Sequence, residues 1–325
     1  MKLQVTMTAV MIALLAVTAS KANIGQGSHG VSAKAKTAHR HVEKSVYPLR
    51  LVDEAGHKVT IANLPYRIAS TTEGTDEILA GLVPKKRIVM VTTFASQPSY
   101  SNIVTYVKGI PAINQVNAEQ VLAVKPNIVL MASYNTPAIV QQIEQTGVPV
   151  FEFTNFNSIK DIENNIGIVG RLVGASAKAL QMVTSMKKQL QVIHQATAKV
   201  KKLTVLDYGT DGYAAGRNTT VDNVIQAAGG INVAKSVNGW ELITDEEIVK
   251  MNPQVIIDAN NDPGFVKKIM SDPALASVAA VKNSHVYTIN GAQLMAVSQY
   301  IVRGVRDVAH VLYPFVKLPS NSKLI

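Results

Sequence analysis

Two glutamates occupy matching places in two stretches of this chain that overlay without a gap. Residues 117–132 (NAEQVLAVKPNIVLMA) and 244–259 (TDEEIVKMNPQVIIDA) align so that Glu119 falls on Glu246 and Pro126 on Pro253. Each carboxylate sits in a first helical turn, where the helix dipole favours negative charge. Together they also make two acidic knobs, one per half, suited to paired basic sockets on a twofold-symmetric partner. Glu247 stands beside Glu246 and can substitute for it.

Aromatic residues are scarce, with six Phe, ten Tyr and one Trp, so rings placed after strands carry information. Phe94 and Tyr100 follow a strand predicted over 87–91. Tyr213 and Arg217 follow one over 203–208, and Trp240 precedes a helix starting at Asp245. In parallel α/β sheets, ligands sit beyond the carboxyl ends of the strands. Rings there suit a bulky, partly apolar guest, and Arg217 suits an anionic group on it. Asn260, Asn290 and Tyr300 occupy similar loops.

Catalytic signatures are missing. The chain has no G-x-S-x-G elbow, P-loop or H-E-x-x-H. His57, His194, His285 and His310 are scattered, none at ligand spacing to another, and read as surface or core histidines. Cysteine is absent, which removes disulfides, thiolate metal sites, Cys nucleophiles and a lipoprotein anchor. The expectation is a non-enzyme with no catalytic residue, no metal site and no intrinsic cofactor.

The elements that position these residues follow from periodicity. Residues 49–61 alternate around Glu54-Ala55-Gly56 as a hairpin. Strands are predicted over 67–70, 87–91, 127–132 and 148–153, with helices over 75–82, 118–124 and 137–146 between them. Helix 158–173 follows. Residues 176–199 then run without Pro or Gly, with Leu180, Val183, Met186, Leu190 and Ile193 on one face. At 1.5 Å per residue this rod reaches roughly 35 Å, enough to bridge two lobes. The α/β rhythm restarts after it, with strands over 203–208, 254–258 and 285–289 and helices over 219–228, 245–251, 263–270 and 297–313. The expected fold is two Rossmann-like α/β lobes joined by one long helix, with a ligand cleft between them.

The N-terminus reads as an export signal over 1–22: Lys2, an apolar run to Ala19, and Ser20-Lys21-Ala22 for cleavage. A flexible basic linker over 23–46 follows, then lobes over 47–173 and 201–318, the rod over 174–200, and a tail over 319–325. Of the formal net charge of +10, Lys2 and Lys21 belong to the signal and Lys34, Lys36, Arg40 and Lys44 to the linker. No dense basic face with interleaved aromatics argues for nucleic acid. The linker's His29, His39 and His41 are weak metal donors.

The chain resembles the class III periplasmic binding proteins of ABC importers for ferric siderophores, haem and cobalamin, over roughly 47–316. The resemblance rests on Leu51-Val-Asp-Glu-Ala-Gly-His-Lys-Val59, Pro65-Tyr-Arg-Ile-Ala-Ser70 leading to Glu77, residues 119–129, and Gly216 with 227–232. It implies two lobes on a rigid helix with modest hinge motion, in a monomer exported to the periplasm or the extracytoplasmic face of the membrane. It implies docking of Glu119 and Glu246 onto a permease dimer with its ATPase subunits. It places the cobalamin-type aromatic positions on Phe94, Tyr213 and Trp240, with Ile113 where a further ring would stand. Arg217 and Arg303 are the positions for gripping siderophore carboxylates, and Tyr213 or Met295 for an axial haem ligand. The alternatives are an enzyme or cofactor-assembly protein on the same architecture, or a surface-retained adhesin or structural module.

Overall fold

A computed structural model describes residues 46–320 apart from 260, 261 and 263. The export segment, all but the last residue of the linker, and residues 321–325 lie outside the described residues. Among the described residues no helix is long and apolar enough to cross a membrane.

The chain opens with a hairpin, β1 (Leu49–Val52) and β2 (Lys58–Ile61). It then alternates through β3 (Ile68–Ser70), α1 (Glu73–Leu82), β4 (Ile88–Thr92), β5 (Ala112–Ile113), α2 (Ala118–Ala123), β6 (Ile128–Ala132), α3 (Pro137–Glu144), β7 (Val150–Phe153) and α4 (Ile159–Leu172). These five strands form a parallel sheet in the order β5-β4-β3-β6-β7. The long helix α5 (Ser176–Thr197) leads to β8 (Thr204–Asp207), β9 (Tyr213–Ala215), α6 (Thr220–Ala227), β10 (Ile231–Asn232), β11 (Trp240–Leu242), α7 (Asp245–Met251) and β12 (Val255–Ala259). Helices α8 (Phe265–Ser271) and α9 (Ala279–Lys282), strand β13 (Val286–Ile289), and helices α10 (Gly291–Leu294) and α11 (Ile301–Leu312) complete it. The second parallel sheet runs β10-β8-β12-β13. In both sheets the first strand is interior, and later strands are added on either side of it.

The repeat seen in the sequence recurs in the backbone. Lys125 and Asn252, equivalent in the overlay, both take a left-handed conformation at the helix end, with φ of 47° and 45°. Asn127 Oδ1 accepts from the Arg67 amide at 3.0 Å, and its counterpart Gln254 Oε1 accepts from the Thr204 amide at 3.1 Å. Each lobe thus locks its first strand to its α2- or α7-linked strand with the same side-chain amide.

Strand alternation sends apolar residues into layers on both sheet faces, as buried parallel strands require. Ile68, Ile128 and Leu130 face one layer, whereas Ala69, Val129 and Met131 face another. In the second sheet Val205, Val255 and Ile257 face the same layer as Ile68, whereas Leu206 and Ile256 face away. The inner faces of both sheets therefore share one apolar core. Helix α5 runs through it, burying Ala179, Met186 and Ile193. Those positions step by seven, so the seam is narrower than the predicted stripe, and Val183 and Leu190 flank it half-buried. The rod packs on α4, α6 and α11. Gly170 gives α4 its closest approach to Ala179, because a Cβ there would overlap the alanine methyl.

Two predicted elements differ. The loops holding Tyr213 and Trp240 are instead an antiparallel ribbon, β9 with β11, pairing Ala215 with Trp240 and Tyr213 with Leu242. The helix predicted over 297–313 begins at Ile301. Residues 295–300 leave the helical path because Ser298 and Gln299 turn their side chains onto α1.

Candidate functional site

Helix α1 begins at the carboxyl end of β3, and α10 begins just after the carboxyl end of β13. The segment linking α10 to α11 meets the first turns of α1, so the carboxyl ends of both sheets converge on one crevice. Val297 seats against Gly74, where a Cβ would lie 2.5 Å from the valine Cγ2. Asn102 Nδ2 donates to the Ala292 carbonyl at 2.6 Å, and Gln299 Nε2 donates to the Glu77 carbonyl at 2.7 Å.

Glu77 is the knot of this floor. Its Oε1 accepts from the Asn102 amide at 2.7 Å and from Asn102 Nδ2 at 2.9 Å, and its Oε2 accepts from the Ser298 hydroxyl. Asp76 Oδ2 accepts from the Thr92 amide at 2.9 Å and the Thr92 hydroxyl at 2.7 Å. Glu73, Asp76 and Glu77 share a low-dielectric setting. Burial pushes Asp76 up to about 7, and burial with the neighbouring carboxylates holds Glu73 well above the usual range. Burial also raises Glu77, against the pull of its hydrogen bonds from Ser298 and Asn102. Tyr134 is pushed up to about 12 by burial and by Asp76 and Glu73.

Phe94 and Tyr100 come together edge to face, with centroids 5.5 Å apart, in the connection leaving β4. A second such pair, Tyr134 with Phe156 at 6.4 Å, follows β6 and β7. Sequence reasoning missed it, although both residues lie two or three positions past a predicted strand. A cavity of about 570 Å³ borders this wall, lined by Ser101, Asn102, Tyr106 and Tyr300 among others. Arg303 stacks over Tyr300 at 4.6 Å and reaches Asn102 Oδ1 only at 3.5 Å.

In the C-terminal half, the ribbon places Tyr213 and Trp240 on one face, as diagonal neighbours in the β9–β11 pairing. Trp240 is half-buried against the shared core, and Arg217 is exposed with Nη1 donating to the Ser236 carbonyl at 3.4 Å. The strand ends beside the ribbon are acidic. Asp207 on β8 is held well above the usual range by burial and by Asp258 and Asp211. Asp258 on β12 is pushed up to about 7 by burial and by Asp262 and Asp211, against donation from the Ala259 amide at 2.7 Å. Asn260 lies outside the described residues; Asn290 stands at the N-terminus of α10, where its side chain makes no capping bond.

Glu119 and Glu246 are exposed in the first turns of α2 and α7. Glu247 is not equivalent to them, since its Oε2 accepts from the Thr244 amide at 2.8 Å in a capping box. Glu246 is held below the usual carboxylate range by its own amide and by the Thr244 hydroxyl.

Comparison with known proteins agrees with this architecture. The chain is 27% identical, over 93% of its length and 96% of the relative's, to the uncharacterised ABC transporter substrate-binding lipoprotein YvrC of Bacillus subtilis. It is 26% identical to the cobalamin-binding protein of Halobacterium salinarum, over 74% of this chain and 69% of that one. The solved periplasmic heme-binding protein RhuT from Roseiflexus superposes with a TM-score of 0.68, at 23% identity, covering 76% of this chain and 98% of that chain. Residues 68–292 match the family model described as periplasmic binding protein. The chain, with its paired parallel sheets around one crevice, belongs to the periplasmic binding protein family.

Proposed function

We propose that this substrate-binding protein captures a corrinoid at the crevice and hands it to the permease of an ABC importer. The carrying observation is the composition of the two walls. Aromatic pairs line one, and Tyr213, Trp240 and the carboxylates Asp207 and Asp258 line the other. A cobalamin offers a broad, partly apolar ring and a periphery of amide N–H donors, which suit rings and carboxylate acceptors. Haem and ferric siderophores, the other members of the chelate class, present carboxylates or other acceptors for which Arg217 is the cation at hand. The Halobacterium relative's name supports the corrinoid reading. Binding is capture without turnover, by a monomer working outside the cytoplasmic membrane. The relative YvrC is named a lipoprotein. The sequence of this chain contains no cysteine.

The test is a panel of cobalamin, haem, ferric hydroxamate and catecholate siderophores, and molybdate. Cobalamin is expected to quench Trp240, the single tryptophan, and to raise Tm, because a ligand selective for the native state stabilises it. No quenching and no shift with any member overturns the crevice reading. Haem or a siderophore alone overturns the corrinoid assignment. In transport assays Glu119→Ala with Glu246→Ala is expected to lower uptake at least about tenfold while affinity stays within about twofold, since rim charges govern encounter with the partner.

A further inference from the structure

The β1–β2 turn and the edge strand β7 hold a cluster of donors that lies outside the crevice. Asp53 and Glu152, 99 residues apart, are each 6% exposed, and His57 stands at the surface beside them. The turn is stitched to the strand by its backbone. The Glu54 amide donates to the Glu152 carbonyl at 3.2 Å, and Glu54 Oε2 accepts from the Thr154 and Asn155 amides at 2.7 and 2.8 Å. Asp53 is aimed by its own bonds, with Oδ1 accepting from the His57 amide at 2.7 Å and Oδ2 from the Glu152 amide at 3.3 Å. That leaves His57 Nδ1 3.4 Å from Asp53 Oδ2 and 3.3 Å from Glu152 Oε2. All three donor atoms lie within 4.8 Å of one another.

We infer that Asp53, His57 and Glu152 form a binding site for a divalent transition metal of the zinc type, clamping the N-terminal hairpin to the sheet edge. Two features argue for an ion over a bare ion-paired histidine. A charge-assisted N–H···O bond closes to about 2.7–2.9 Å, shorter than either separation here. A tetrahedral ion with bonds of about 2.0–2.1 Å sets its ligands about 3.3–3.4 Å apart, which is the spacing found at both edges that include the imidazole. The charge balance points the same way. Two buried carboxylates adjoin one half-exposed imidazole. The exposed side of His57 leaves the fourth position to water. One nitrogen and two carboxylate oxygens suit zinc or cobalt, whereas calcium requires six to eight oxygens.

The experiment uses the full chain with Zn²⁺, Co²⁺ and Ca²⁺. Zinc at about a hundredfold its Kd is expected to raise Tm on the order of 5 °C. His57→Ala and Glu152→Gln are each expected to lose that shift and one equivalent of bound zinc. The linker histidines His29, His39 and His41 are present in every variant, so the difference isolates this site. Cobalt bound to the unmodified chain should give the intense visible absorption of a tetrahedral site, and Glu152→Gln should lose it. Cobalamin capture should be unchanged in both variants, which separates this site from the crevice. Equal zinc uptake and equal Tm shifts in all three proteins overturn the assignment, as does calcium stabilising as well as zinc, or an absence of tetrahedral cobalt absorption.

Discussion

Both walls of the crevice carry buried acid, yet the two sets are held in different ways. On the N-terminal side, Glu77 gives both oxygens to Asn102 and Ser298 and Asp76 gives Oδ2 to Thr92, so the Glu77 carboxylate is tied into the joint between the sheets. On the C-terminal side, Asp207 and Asp258 project from strand ends, and the Ala259 amide is the hydrogen-bond donor found for Asp258. The first set ties the two halves together. The second makes no such tie among the described residues, and under the proposed function it is the set that meets the guest.

The comparison breaks most readily at Glu77. Glu77→Ala removes the acceptor for Asn102 and Ser298 at a site with no exposure. Orphaned buried donors cost about 1–3 kcal/mol each. The expected loss in urea unfolding is about 3 kcal/mol or more. Asp207→Asn, by contrast, removes a desolvated charge that has charged neighbours rather than donors, and is expected to change stability by less than about 1 kcal/mol or to raise it. Similar losses for both variants would mean the two walls are alike.

Much of this was legible in the residues, and the limits are physical. The 117–132 and 244–259 overlay encodes strand, helix and left-handed stop in local pattern, so the repeat and the equivalence of Glu119 with Glu246 could be read directly. The rod's seam was legible as a stripe, but its narrowing to Ala179, Met186 and Ile193 depends on which neighbours press on it. Glu77 was seen only as a landmark, because its partners Asn102 and Ser298 come from distant loops. His57 had no ligand spacing because its partner Glu152 arrives through sheet packing. The ribbon that aligns Tyr213 with Trp240 pairs three-residue strands, too short for period-two alternation to register.

A second, smaller effect sharpens the contrast through pH. Asp258 is raised from 3.8 to about 7, so the folded chain binds its proton more tightly than the unfolded chain does. Its stabilising contribution is complete below about pH 4, declines as pH rises through that interval, and is gone above about pH 7. Asp76 titrates with the same sign. Asp258→Asn, neutral throughout, is expected to flatten the fall in Tm between pH 5 and 8 and to gain about 1–2 kcal/mol at pH 8, after discounting for its partial exposure. Cobalamin affinity should move oppositely, rising through pH 7 as the carboxylate ionises into a stronger acceptor, and the variant should lose that rise. A variant with an unchanged Tm profile and an unchanged affinity profile would place Asp258 outside the crevice chemistry.

The smallest effect separates the two copies of the helix stop. Lys125 and Asn252 share the left-handed conformation, which a lysine adopts at a cost of about 1 kcal/mol and glycine adopts freely. Lys125 contributes its carbonyl to the Arg67 guanidinium at 2.8 Å, a bond that survives loss of the side chain. Lys125→Gly is therefore expected to raise stability by roughly 0.5 kcal/mol, the relief of strain being partly offset by a more flexible unfolded chain. Asparagine tolerates the same backbone better, and Asn252 Oδ1 also accepts from the Ala279 amide at 2.9 Å, holding α9 against the end of α7. Asn252→Gly is expected to lower stability by about 1 kcal/mol. Opposite signs in paired thermal melts would show that one backbone stop is passive and the other carries a tertiary contact, whereas equal signs would make the two stops interchangeable.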